Sequence, residues 1–149
     1  MRHDKIIGEY AQRLGMGYMY EQWQMANVKA DKVKIKYPLL VYVMPATGRL
    51  QIKQAEAVTD QPLALFAFLA PVPRHDYDSK DGAPIIEAMK AKMLEFIHLV
   101  NTSGDYEPIN GEVSYNVVFH KLDRDLMGVS FDVRLVPVIP ECLADYGND

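Results

Sequence analysis

The chain has 149 residues, 49% of them hydrophobic and 24% charged, with a net charge of -4. That length and composition fit one globular domain, able to bury roughly two-thirds of its unfolded surface, and they exclude disorder of the body of the chain. The acidic balance argues against wrapping nucleic acid through a general basic surface, though not against a local basic lining.

The N-terminus lacks the long apolar stretch of a signal peptide, and no segment has the apolar length of a membrane span, so cytoplasmic synthesis without export is the expectation. Cys142 is the single cysteine, which excludes an intrachain disulfide; in its apolar surroundings it reads as a small buried hydrophobe.

Residues 4–14 are predicted to be a short helix, because Ile6, Ile7, Tyr10, Ala11 and Leu14 share a face and Asp4 sits near the start. Gly15 and Gly17 end it. Residues 15–36 have no clean period. Tyr18, Tyr20, Trp23 and Met25 form an aromatic and methionine cluster there, readable as core material or as one side of a subunit contact.

Residues 37–44 read as a central strand, with Pro38 suited to its start. A turn is predicted over Pro45 to Gly48, and a half-exposed second strand over 49–58. Thr59 to Pro62 make the next turn, and 63–69 a third strand, apolar on both faces. The polar loop 71–82 follows. Arg74, His75, Asp76, Asp78, Lys80 and Asp81 crowd into it, a mixture that suits either a divalent cation or an acid–base pair. Their spacing completes no known site, so the loop reads first as a solvated one.

Residues 81–101 carry the clearest signal. Ile85, Ile86, Met89, Met93, Phe96, Ile97 and Val100 recur at helical spacing, with Glu87, Lys90, Lys92 and Glu95 on much of the remainder. Pro84 suits a first turn, and Asn101, Ser103 and Gly104 supply a stop. His98, late in this helix, reads as a flanking residue. A hairpin is predicted from strands 112–122 and 127–138 around a turn at Asp123 to Asp125. Its polar face carries His120, Lys121, Asp132 and Arg134. Together with Lys53, His120 and Arg134 offer a basic lining if several copies form a ring. Residues 141–149 are expected to be a loose tail.

No Gly-rich phosphate loop, GxSxG elbow, HExxH or paired-cysteine pattern is present. No catalytic residue, cofactor or metal is therefore assigned. The expected architecture is α+β over residues 1–149 as a single domain: a mainly antiparallel five-stranded sheet, one long helix on one face, and a short N-terminal helix.

That order of elements resembles the tail-terminator and neck proteins of long-tailed bacteriophages. The stretches that carry the resemblance are DKIIGEYAQRLG, YPLLVYVMP, IIEAMKAKMLEFIHLVN and LMGVSFDVRLV. The resemblance implies a structural, non-enzymatic subunit of a homo-oligomeric ring, of which a hexamer is one closure. Such a ring would meet the tail tube and a head-completion or connector protein, contact passing double-stranded DNA only transiently, and involve no membrane. It would be assembled in the host cytoplasm and reside in the virion. Tyr18, Tyr20, Trp23 and Met25 are the expected subunit contact, with the terminal hairpin as its counterpart. The loop of Arg74, His75, Asp76, Asp78 and Lys80 is the expected axial docking surface. Two other classes stay open: a small metal- or ligand-binding domain or enzyme at the His75 loop, and a nucleic-acid-binding domain using Lys53, His120 and Arg134.

Overall fold

The computed structural model describes residues 1–22, 35–54, 56–72, 79–121 and 126–146, with the backbone alone described at 79–81, 120 and 121. Helix α1 spans His3–Arg13 and buries Ile7, Tyr10 and Ala11 on one stripe. It stops where Gly15 takes a φ of 70°. The Gly15 and Met16 amides then reach back to the carbonyls of Gln12 and Ala11, at 3.1 and 2.9 Å, so the last turn loses few hydrogen bonds. Strands β1 (Gly17–Glu21), β2 (Leu39–Val43), β3 (Gly48–Lys53) and β4 (Ala57–Pro71) follow. Helix α2 (Ser79–Ser103), β5 (Asn116–Lys121), β6 (Leu126–Arg134), the short β7 (Glu141–Cys142) and a 3₁₀ turn (Leu143–Asp145) complete the chain.

The α+β class is as expected, but the sheet is larger and mixed. Five strands run in the order β1-β2-β4-β6-β5, while β3 and β7 flank the first half of β4. Pairing of β1 with β2 is parallel, whereas the other pairs are antiparallel. β1 lies within the stretch expected to be irregular.

The segment 39–53 is one interrupted strand rather than two joined by a reversal. β2 pairs with Leu65–Leu69 and β3 with Ala57–Pro62, both along the same edge of β4. The Pro45–Gly48 stretch is an in-line interruption, bridged by the Leu63 amide on the Thr47 carbonyl at 3.1 Å. Thr59 to Pro62, also expected to turn, lie inside β4. Pro62 is accommodated because its partner is Gly48, whose missing Cβ would stand 3.2 Å from the Pro62 Cα. The chain reverses after Lys53, where Gln54 adopts a φ of 54°.

Both helices pack on one face of the sheet. Along β4, Ala64, Phe66 and Phe68 point to them, and Leu40, Tyr42, Val129 and Phe131 on the neighbouring strands do the same. From the helices come Ile7, Tyr10, Met89, Met93, Phe96 and Val100. The Phe66 ring is central, with centroids 4.9 Å from both Tyr42 and Phe96. The intervening residues make a second buried cluster on the opposite face, of Leu39, Val41, Ala67, Leu69, Val118 and Leu126. Unbroken apolarity in β2 and β4 therefore reflects burial on both sides. Gly128 permits the close β4–β6 approach; a Cβ there would stand 1.7 Å from the Phe68 carbonyl oxygen.

α2 begins before the predicted start, which makes Pro84 its sixth residue rather than part of the first turn. β5 and β6 form the expected hairpin, β5 being shorter than predicted. Part of the expected loose tail is docked: β7 pairs with Ala57 and Val58, and the Tyr146 hydroxyl donates to Asp60 at 3.1 Å. Cys142, expected to be buried, is exposed, because β7 is a two-residue edge strand. His98 is exposed on α2. No helix among the described residues is long and apolar enough to cross a membrane.

Candidate functional site

Two surfaces stand out: the outer strands of the sheet and a polar cleft at the start of α1. The first contains half of the residues expected at a subunit contact. Tyr18 and Tyr20 lie on the helix-facing side of β1 and are half-buried. The Tyr18 hydroxyl donates to the Asp4 carbonyl at 2.8 Å, and its ring edge fills the space a Cβ on Gly8 would occupy, 3.0 Å away. The Tyr20 ring sits 4.8 Å, centroid to centroid, from that of Tyr42. Both therefore tie β1 to the core while leaving part of each ring at the sheet edge. Burial pushes both phenols above their ordinary pKa. Trp23 and Met25 lie outside the described residues.

At the other end of the sheet, β5 presents large apolar side chains. Val117 and Phe119 pair with Val129 and Met127 of β6, so they share the helix-facing side. The helices do not cover them: Phe119 is 53% exposed and Val117 39%. Tyr115, just before β5, is 43% exposed and lies under Lys90 of α2, whose ammonium is 4.9 Å from the ring centroid. Leu94, one helical turn beyond Lys90, is 62% exposed. Exposed apolar side chains thus stand on and beside β5, with another on α2.

Within one copy, Lys53, His120 and Arg134 stand at three different levels of the sheet. Lys53 pairs with Ala57 and Arg134 with Leu63, while Phe119, the neighbour of His120, pairs with Met127, itself opposite Ala70. These levels on β4 are six and seven residues apart, about 20 Å each at strand rise. Arg134 is also committed within the fold, donating from Nη1 to the Gln61 carbonyl at 3.0 Å. Arg74, His75, Asp76 and Asp78 of the expected docking loop lie outside the described residues, and Lys80 is placed by its backbone alone in the first turn of α2.

The polar cleft, about 470 Å³, lies between the start of α1, the interrupted strand and β4. Arg2, His3, Asp4, Tyr20, Tyr42 and Asp60 line it. His3 is buried, with Nδ1 2.8 Å from the Tyr106 hydroxyl and Nε2 3.7 Å from Asp60 Oδ2. Nε2 has no hydrogen-bond partner among the described residues. Burial lowers the His3 pKa below its ordinary 6.5, against the opposing pull of Asp60. The imidazole is therefore neutral at neutral pH. Burial raises the Tyr106 pKa, so its phenol stays protonated in the hydrogen bond it shares with Nδ1, while Nε2 faces Asp60. Asp4 is held below the ordinary carboxylate range by Arg2, which donates to both its oxygens at 2.9 and 2.8 Å.

The described lining thus brings an arginine, a histidine, two carboxylates and two phenols around one cleft. No three His, Cys, Asp or Glu side chains among the described residues come together as metal ligands. Nothing local in the chain marks this cleft, because His3, Tyr42 and Asp60, which line it, come from distant parts of the sequence. No family model, curated protein or solved structure matches the chain.

Proposed function

We propose that the protein is a structural, ring-forming subunit of a phage tail terminator or head–tail joining complex, as its resemblance to those families implies. One observation supports an assembling subunit above all: the exposed apolar side chains of Tyr115, Val117 and Phe119 on and just before the edge strand β5. Edge strands of stable monomers are normally shortened, charged or covered, and apolar side chains of this size there are a liability unless a partner buries them. The partner in this reading is another copy of the chain. The assembled ring belongs to the virion, between tail tube and head-completion protein.

Light scattering over a range of concentrations tests the proposal. The expected result is a closed oligomer, about six subunits if the ring is hexameric, that Phe119→Asp reduces to a monomer with an unchanged circular dichroism spectrum. A wild-type monomer at every concentration, unaltered by Phe119→Asp, would overturn it.

A further inference from the structure

Resting on the ring reading, we infer that the contact is a continuation of the sheet: β5 of one copy pairs antiparallel with β1 of the next, with Tyr18 opposite Phe119, Met19 opposite Val118 and Tyr20 opposite Val117. Among the described residues, β1 pairs with β2 alone and β5 with β6 alone, so these are the two ends of the five-strand path.

Direction favours the match. β1 runs with β2 and against β4, whereas β5 runs with β4, because both of them oppose β6. A rotation that places two copies side by side, with their helices on the same face, therefore sets β5 antiparallel to β1. Antiparallel pairing is the stronger arrangement, and the three residues used, Val117 to Phe119, precede the irregularity in β5 between Phe119 and Lys121.

The side chains then restrict the register. Tyr18 and Tyr20 belong to the helix-facing side of β1, and Met19 to the opposite cluster. On β5, Val117 and Phe119 pair with helix-facing residues of β6, and Val118 belongs to the opposite cluster. A slip of one residue would set aromatic and apolar side chains on the wrong faces all along the pair. A slip of two in one direction sets Met19 against Asn116. In the other direction, Tyr18 meets Lys121 and Glu21 meets Val118. The proposed register alone makes the three central pairs apolar on both faces. It also extends each of the two cores across the boundary: the rings of Tyr18 and Tyr20 continue into Phe119 and Val117, and Met19 into Val118.

Pairing of β5 with a second β5 about a two-fold axis is the competing geometry. It would leave β1 as an edge in the finished assembly and would stop at a dimer, whereas the β1–β5 contact is heterologous and closes a ring that uses both ends.

The test is cysteine cross-linking in a Cys142→Ser background under mild copper–phenanthroline oxidation, with light scattering on the same samples. Met19→Cys combined with Val118→Cys is expected to give a ladder of covalent oligomers on non-reducing gels, ending at the size of the ring. Each single variant should stay unlinked, and Met19→Cys with Asn116→Cys should link at least tenfold less. Because Val118 is buried, unchanged thermal melting of the variants is the control, and Tyr20→Cys with Val117→Cys probes the same register on the other face. A closed oligomer in which neither pair links would overturn the strand contact and leave the ring reading intact. Dimers from Val118→Cys alone would establish the two-fold alternative. A monomer throughout would overturn both.

Discussion

His3 shows how much one side chain near a chain end can carry. Its ring stacks on Tyr106, with centroids 5.7 Å apart, and its Nδ1 joins α1 to the segment that follows α2. The imidazole is neutral in the fold and has a pKa below the unfolded 6.5, so below that pH the unfolded chain binds the proton more readily. The stability that depends on neutral His3 is thus complete above pH 6.5 and declines as the pH falls from there until the folded-state value is passed. No single group can contribute more than about 1.4 kcal/mol per pH unit. Urea denaturation at pH 7.5 and pH 5.5 should therefore show a larger loss for the wild type than for His3→Gln. Equal losses would show that His3 is not the group responsible. Nothing local marks this residue, since its partners Asp60 and Tyr106 come from distant parts of the chain.

At the scale of elements, regular periodicity was readable and departures from it were not. α2 was legible because Met89, Met93, Phe96 and Val100 repeat over many turns, and β6 because Val129, Phe131 and Val133 alternate inward. β1 was missed for a physical reason: its partner is β2, parallel and beyond residues 22–38, so no adjoining turn announces it. The long hairpin misled in the opposite way. Proline and glycine at 45 and 48 suggested a reversal but form an in-line interruption, while the actual turn relies on Gln54 with a φ of 54°. A left-handed conformation costs a non-glycine residue about 1–2 kcal/mol. Gln54→Gly should recover roughly 0.5–1 kcal/mol of that, net of the greater freedom of glycine when unfolded, as a raised urea midpoint with an unchanged slope. A lowered midpoint would mean that the Gln54 side chain contributes more than its backbone strain costs. The terminal hairpin was anticipated as an element, whereas the separation of Lys53, His120 and Arg134 along the sheet of one copy was not. Alternation assigns a residue to a face without saying how far along a strand it stands from another, and Lys53, His120 and Arg134 were grouped on face alone.

For the molecule as a whole, the sheet is apolar on both faces near its centre and ends in two strands of unequal character. β1 is fastened to the core through Tyr18 and Tyr20, whereas β5 leaves Phe119 more than half exposed. This asymmetry suits an assembly that grows in one rotational direction. It also places the predicted effect of Phe119→Asp on association, because more than half of that side chain is open to solvent in a single copy.

β4 also joins regions that need not open together. Its second half lies between β2 and β6 and carries Phe66 and Phe68, while its first half lies between β3, all six of whose residues are exposed, and the two-residue β7. Amide protons of one continuous strand should therefore exchange with deuterated water on two timescales. Those of Phe66 to Leu69 should wait for unfolding of the whole domain, whereas those of Val58 to Asp60 should escape through local fraying of β3 and of the two-residue β7 on the other side, at least a hundredfold sooner. Uniform protection along β4 would mean that the exposed hairpin is clamped as firmly as the centre. With two rates, the strand would be anchored at one end and free to adapt its other end to whatever the assembly brings against it.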